Sequence, residues 1–333
     1  MVTMADVARV AGVSAMTVSN VVNGRPGVGA DTRLRVEAAV AQLGYQMNLT
    51  ARHLRAGRTG AVGLVVPELD RPYFGQLAER LADRIERLGK HLVVERGGAS
   101  REGELAAVAL ARLRMHDAVV LSVVGMDPAD VDQLSVDSPI VLIGERPVPA
   151  RFDHVAMDNA GGARLAAAHL LSTGARRIAL LGGRIGGSED MRRLRTEGYL
   201  RAYADAGLEV DARLIRPTVF TMAGGREAVL GMHADGVEFD AIFALTDTTA
   251  VGALRGLADL GLAVPAQVQV VGFDNIDESE YLVPTLSSVD PGHEEMVEWI
   301  VRLIDERMAA GGGERERRSV VAQPRLVLRG STR

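Results

Sequence analysis

Gly12-Val13-Ser14-Ala15-Met16-Thr17-Val18-Ser19-Asn20-Val21-Val22-Asn23-Gly24 holds a glycine turn, one short helix and a glycine stop. Upstream, Thr3-Met4-Ala5-Asp6-Val7-Ala8-Arg9-Val10-Ala11 predicts a second short helix. Thr3 suits its cap, and Asp6 falls where a helix N-terminus favours an acid. Two short helices joined by a glycine-containing turn make a helix-turn-helix. Val7, Ala11, Val13, Val18 and Val21 can face inward together, leaving Ala15, Met16, Ser19 and Asn20 outward. A helix that enters a major groove needs that division, with one face held by its neighbours and the other small or polar.

Working outward, a polar loop over 25–30 leads to Asp31, which is expected to cap a third helix running to about Leu43, with Gly44 as its stop. Leu34, Ala38 and Ala41 recur at helical spacing and are expected to cover the first two helices. Three helices of this size give a thin core. In the next segment, 46–58, Asn48 can cap and Gly57 can stop a helix of only about eight residues, too short to persist alone in water. It is expected to form against a partner; an ordinary linker is the alternative.

The charge is divided along the chain. Residues 1–60 carry seven arginines (9, 25, 33, 35, 52, 55 and 58) against Asp6, Asp31 and Glu37, giving +4, so the net −5 leaves −9 for the remainder. A small basic head on an acidic body fits nucleic-acid contact by the head. With 333 residues, 47% of them hydrophobic, the chain can build two or three cores. It has no cysteine, so disulfides and thiolate metal sites are excluded. The start lacks the basic and apolar regions of a signal peptide, and no run of about 18 apolar residues occurs. A cytoplasmic protein without membrane contact is the expectation.

From Ala61 the pattern changes to apolar strands alternating with amphipathic helices. Strands are expected over 61–66, 92–95, 118–122, 140–143, 178–181, 241–244, 268–271 and 320–327. Helices are expected over 74–88, 101–115, 159–172, 192–206, 224–232, 248–260 and 294–310. This rhythm defines βαβ units and parallel sheets, enough for two doubly wound lobes. In such sheets ligands bind beyond the carboxyl ends of the strands. The charged, glycine-rich stretch 311–318 reads as a surface loop. No phosphate-binding loop, nucleophile elbow or metal-spaced histidine pair occurs, so no enzyme motif or cofactor is indicated.

The whole chain resembles the lactose/galactose repressor family of bacterial transcription regulators. The helix-turn-helix Val2-Thr3-Met4-Ala5-Asp6-Val7-Ala8, Ala11-Gly12-Val13-Ser14, Thr17-Val18-Ser19 and Val22-Asn23-Gly24 carries most of the likeness. Asn48, Ala51-Arg52, Leu54 and Gly57-Arg58-Thr59 follow at the family's hinge spacing. The body adds Pro72-Tyr73-Phe74, Val155-Ala156-Met157-Asp158-Asn159, Asp247-Thr248-Thr249-Ala250-Val251-Gly252-Ala253 and Val270-Val271-Gly272-Phe273-Asp274-Asn275. The resemblance implies a small all-α head over 1–45, a hinge over 46–59 and a body over 60–333 like that of periplasmic binding proteins. One lobe would comprise about 60–157 and 288–316, the other about 158–287 and 317–333.

It also implies a homodimer, in some relatives a tetramer, on a near-palindromic double-stranded operator, with recognition helices in successive major grooves. Thr3, Ser14, Ala15, Met16, Thr17, Ser19, Asn20, Asn23 and Arg25 would contact DNA from the head, and Asn48, Ala51, Arg52, Leu54 and Arg55 from the hinge. Leu54 would wedge into the minor groove and kink the duplex. Asn20 stands where many relatives have arginine, and Met47 where many have proline. Weak base readout, with phosphates supplying most affinity, is expected.

A small-molecule effector is implied between the lobes. By position, Tyr73, Phe74, Arg146, Arg193, Arg195, Phe220, Asp247 and Asp274 would line its site, with Glu145 beside Arg146. Carboxylates accept from hydroxyls, arginine donates in a fork and rings cover C–H faces, which suits a sugar. A nucleoside or a controlling protein partner stays open. Thr246, where many relatives have asparagine, blurs the ligand class. A solute-binding protein would share the body but not the head.

Overall fold

The computed structural model describes residues 2–22, 24–45, 59–108, 115–134, 139–145, 151–187, 190–309 and 316–333. Asn23, the hinge residues Asn48, Ala51, Arg52, Leu54 and Arg55, Met47 and Arg146 lie outside them. The chain divides into two compact units, Met1–Thr59 and Gly60–Arg333.

The first unit holds α1 (Met4–Ala11), α2 (Ala15–Val22) and α3 (Ala30–Leu43). Thr3 Oγ1 accepts from Asp6 N at 3.3 Å, and Asp6 Oδ2 accepts from Thr3 N at 3.0 Å, a reciprocal capping box. Gly12 ends α1 with φ +67°, a left-handed conformation that costs other residues free energy, and so turns the chain into α2. Ser14 Oγ accepts from Thr17 N at 3.1 Å and caps α2. Val7, Ala8, Ala11, Val18, Val21, Val36 and Ala39 form the core.

Two expectations for α3 are corrected. Gly29, not Asp31, is its N-cap, and Asp31 sits in the first turn, where its charge still suits the helix end. The buried face is Val36 and Ala39, with Val40 and Leu43 packed beside them, whereas Leu34 is 65% exposed and Ala38 and Ala41 are exposed. Alanines give this helix two competing stripes, and the stripe with the larger side chains is buried.

The second unit has two six-stranded sheets. In the first, the order is β11 (Ser319–Ala322), β5 (Asp153–Met157), β4 (Ile140–Ile143), β3 (Ala118–Ser122), β1 (Ala61–Val66) and β2 (His91–Arg96), and every pairing is parallel. β1 is buried at all six residues because helices cover both faces. On one face lie α4 (Pro72–Arg87), which buries Leu77, Leu81 and Ile85 at helical spacing, and α11 (His293–Ala309). The other face carries α5 (Arg101–Val108) and α6 (Pro128–Gln133).

The second sheet runs β12 (Arg325–Val327), β10 (Ser287–Asp290), β9 (Gln269–Phe273), β8 (Ala241–Ala244), β6 (Ile178–Leu181) and β7 (Ile215–Arg216). Only β10 and β12 pair antiparallel. Its faces are covered by α7 (Asn159–Ser172) with α8 (Met191–Asp205), and by α9 (Met222–Ala234) with α10 (Asp247–Asp259). Tyr199, Tyr203, Phe243 and Phe273 are the largest side chains buried there.

The final strand expected over 320–327 is two strands in different sheets. β11 pairs with β5, and after Gln323-Pro324 the chain enters the other lobe, where β12 pairs with β10. Proline lacks the N–H a continuous ladder needs, which makes Pro324 the reason for the break. The lobe limits shift with it: 287–290 joins the second lobe and 319–322 the first. Three crossings therefore link the lobes, near 158, 291 and 323. Arg325 ties two of them through Asp290 at 2.9 Å.

Candidate functional site

A cavity of about 280 Å³ opens at the carboxyl ends of strands from both sheets. The ends of β1, β3, β4 and β5 contribute Glu68, Ser122, Glu145 and Met157; those of β8 and β9 contribute Thr246 and Asp274. Helix starts supply Tyr73 and Phe74 from α4, and Arg192 and Arg195 from α8. Strand order reverses between β1 and β3 and between β6 and β8, the switch points where doubly wound sheets leave room for ligands.

Arg195 is the centre of the site, only 3% exposed. Its Nε donates to Asn159 Oδ1 at 2.7 Å, one terminal nitrogen donates to Leu245 O and lies 3.5 Å from Asp274 Oδ1, and the other is 3.5 Å from Met157 Sδ. The guanidinium carbon lies over the Phe273 ring, 3.4 Å from its centroid. Burial lowers its pKa from the ordinary value, while Asp274 and Glu145 oppose that shift. Asn159, quoted in a motif but given no role in the sequence, positions Arg195. Its Nδ2 is buried with no partner among the described residues.

Asp274 adopts φ +113° as the chain turns out of β9. Burial pushes its carboxyl up to about 6 against the pull of Arg195 and Arg71. Its carbonyl contacts His293 Nε2 at 2.6 Å, and the His293 ring packs on Tyr73 with centroids 5.3 Å apart. Burial and the Asp274 charge raise the Tyr73 hydroxyl above its usual range, so Tyr73 stays a neutral donor. Phe74 meets Tyr73 edge-on at 4.9 Å. Glu145 Oε1 accepts from Met191 N at 3.1 Å across the lobes, and burial raises its carboxyl. Thr246 caps α10 through Thr249 N at 3.2 Å while still lining the cavity.

Two expected residues lie elsewhere. Asp247 is fully buried beneath the Asp274 turn, where it accepts from Ser288 Oγ at 2.6 Å, Ile276 N at 2.9 Å and Ser279 Oγ at 3.1 Å. Burial and the nearby Asp274 charge push it up to about 7. It shapes the turn and does not reach the cavity. Arg193 faces away and pairs with Glu197 at 2.8 Å; Arg192 lines the cavity instead.

The sequence held a signal for that exchange. Arg192, Arg195 and Tyr199 share one helix face at spacings of three and four, and Glu197 sits four after Arg193 as a surface partner would. Arg192 lies 4.0 Å from the Phe220 ring centroid and donates to Gly182 O at 2.9 Å and Thr218 O at 2.8 Å. Gly182, at φ +93°, leaves the room Phe220 needs: a Cβ there would sit 2.6 Å from the ring.

In the head, α2 presents Ala15 and Met16 to solvent, Met16 at 67% exposure. Thr17, Ser19 and Asn20 are half-buried beside them, and Ser14 and Arg25 are exposed. Thr3 and Ser14 combine an exposed position with a capping role. No helix among the described residues is long and apolar enough to cross a membrane.

A helix-turn-helix unit joined to a two-lobed, periplasmic-binding-protein-like body defines a class of ligand-responsive DNA-binding proteins. Residues 3–48 match the model for bacterial regulatory proteins of the lacI family, and 167–332 that for the periplasmic binding protein-like domain. The transcriptional regulator AscG of Escherichia coli is 35% identical over 91% of this chain and 91% of its own length. A solved complex of the regulator CelR with cellobiose is 30% identical, with a TM-score of 0.70 over 99% of this chain and 100% of that one. The lac repressor dimer bound to operator and an anti-inducer is 26% identical, with a TM-score of 0.81 over 99% of both chains. The chain belongs to the lacI family of bacterial regulatory proteins and is a DNA-binding transcriptional regulator.

Proposed function

We propose that this regulator is a cytoplasmic repressor that binds a near-palindromic operator as a homodimer and is switched by a sugar held between its lobes. The observation that carries the ligand reading is the pairing of Arg195 with Asp274 in a cavity that Tyr73, Phe74 and Phe220 also line. Carboxylates and a fixed guanidinium match the alternating donors and acceptors of a polyol, and the rings match its C–H faces. CelR with cellobiose and the lac repressor on its operator support both halves of the reading. Arg193 and Asp247 are left out of the ligand set.

A switch has to act on contacts between the lobes. Glu145 to Met191 N at 3.1 Å, Gln76 to Glu278 at 3.1 Å and Arg80 to Asp277 at 3.3 Å are such contacts. A ligand that alters them changes the lobe arrangement, and a coupling of about 1–3 kcal/mol alters operator affinity roughly 5–150-fold. The hinge residues Asn48, Ala51, Arg52, Leu54 and Arg55 would pass that change to the minor groove, with Leu54 as the wedge. Selection of bound DNA from a random pool, with and without candidate sugars, tests the reading. A palindromic consensus whose occupancy falls with one sugar supports it; a consensus that no sugar affects removes the ligand half.

With Ala15 and Met16 exposed and little hydrogen-bonding reach on α2, Asn20→Ala is expected to cost about 1 kcal/mol of discrimination at one base pair per half-site. Binding to scrambled DNA should stay unchanged. An identical consensus from wild type and variant would remove Asn20 from base readout.

A ligand that donates hydroxyls to Asp274 favours its ionised form. Since Asp274 titrates near 6, sugar affinity is expected to rise with pH through that value, by up to about tenfold per unit below it. Calorimetric titration from pH 5 to 8 checks this. Affinity that falls over the same range would mean that Asp274 serves as a protonated donor.

A further inference from the structure

The cleft continues beyond its inner chamber. A second cavity of about 720 Å³ adjoins it, and Glu68, Arg71, Arg192 and Phe220 line both. These four form a partition. The Arg192 and Arg71 guanidinium groups lie 4.0 and 5.5 Å from the Phe220 ring centroid. Arg71 is ion-paired with Glu68, and Arg192 donates to two carbonyls, so both cations are held in place without a ligand. Arg71 comes from one lobe, Phe220 and Arg192 from the other.

The two chambers differ in chemistry. Glu145, Asp190 and Asp274 make the inner one rich in acceptors around Arg195. The outer one gathers Leu69, Val219 and Met222, which are 58%, 61% and 52% exposed. Single exposed aliphatic side chains are ordinary on a protein surface; three converging on one concavity mark a contact surface. Beside them the exposed side chains of Arg96 and Asp70 also line the outer chamber.

We infer that the ligand is a two-ring glycoside, a disaccharide and not a single hexose; this rests on the sugar reading of the cleft. One hydroxylated ring fills the inner chamber. The glycosidic link passes Phe220 between Arg71 and Arg192. The second ring lays its C–H face on Leu69, Val219 and Met222 and turns its hydroxyls to Arg96 and Asp70. A monosaccharide would leave the outer aliphatic surface wet, and an inner volume of about 280 Å³ lies just below the usual range for ligand pockets, about 300–1,000 Å³.

The test uses the full chain and calorimetric titration with cellobiose, maltose, lactose and trehalose, against glucose and galactose. At least one disaccharide is expected to bind ten times or more tighter than either hexose. Val219→Ser with Met222→Ser is expected to lower that affinity about tenfold. Leu69→Ser, on the facing lobe, should lower it as well, so the result does not depend on one variant folding. Hexose binding should be unchanged in both. A hexose that binds as tightly as every disaccharide, or a preferred disaccharide indifferent to both variants, would overturn the two-ring ligand and leave the sugar reading standing. If none of the six binds, the sugar reading falls and the inference falls with it.

Discussion

Arg307→Met is expected to destabilise the body by about 3–5 kcal/mol, the cost of breaking a buried ion pair from one side. Arg307 is 7% exposed and Asp153 fully buried. The guanidinium grips both carboxylate oxygens, Nε to Oδ2 at 2.6 Å and a terminal nitrogen to Oδ1 at 2.8 Å. Arg318 N adds a bond to Oδ1 at 3.0 Å, and Arg307 also donates to Glu316 O at 2.7 Å. Three segments of the first lobe are joined there: the start of β5, the end of α11 and the approach to β11. Methionine matches the arginine stem in bulk but leaves the Asp153 charge buried with a fraction of its partners.

The pH dependence separates this loss from a packing defect. Burial pushes the Asp153 carboxyl up, but the bonds from Arg307 and Arg318 N outweigh it and hold the group below the usual carboxylate range. Its contribution is therefore complete above about pH 4 and is lost as pH falls through the lower folded value. In Arg307→Met the carboxyl is no longer held down, so the difference from wild type should shrink as the pH is lowered. Urea unfolding at pH 3 and pH 7 measures both effects. A variant within about 0.5 kcal/mol of wild type at pH 7 would show that the pair contributes nothing.

Much of this architecture is legible from side-chain type and spacing. The division of α1 and α2 into an inward valine face and an outward Ala15–Met16 face follows from the sequence, as do the apolar strands β1, β3, β4, β6 and β8. What escapes has physical causes. β10 reads Ser287-Ser288-Val289-Asp290 and carries no apolar pattern, because its buried serine hydroxyls serve as bonding partners: Ser288 Oγ donates to Asp247 Oδ1 and Ser287 Oγ accepts from Arg329 N. The face of α3 escapes because alanine is compatible with either stripe. In the site, Asp274 and Asp247 each follow a β-strand, yet one faces the cavity and the other lies beneath the turn that holds the first. Strand ends place a carboxylate near a cleft but do not decide whether backbone amides and hydroxyls capture it. Asn159 needs tertiary structure to be seen at all, since it acts only by accepting from Arg195, 36 residues away.

If the cleft holds the proposed sugar, Arg195→Met is expected to weaken its binding about 30–150-fold and to leave operator affinity unresponsive to it. The magnitude is that of removing charge-assisted hydrogen bonds from a buried site, about 2–3 kcal/mol. Two losses combine. The donor fork disappears, and Asp274, whose carboxyl burial already pushes up to about 6, loses the cation that held it there. It then rises further, so the neutral acid takes a larger share of the site at the expense of the ionic acceptor. Asn159 Oδ1 and Leu245 O also lose their donor, which should lower the melting temperature modestly. Arg193→Met is the matched control, two residues away on the same helix with its guanidinium on Glu197 at 2.8 Å. It should change sugar affinity less than twofold. Both variants leave α1, α2 and α3 unchanged, with their core of Val7, Ala8, Ala11, Val18, Val21, Val36 and Ala39, so operator binding without sugar should persist in each. If Arg193→Met abolished the response and Arg195→Met kept it, the orientation of α8 assigned to this site would be wrong. Sugar binding retained in Arg195→Met but without any effect on operator occupancy would mean that Arg195 couples the ligand to the lobes and does not hold it.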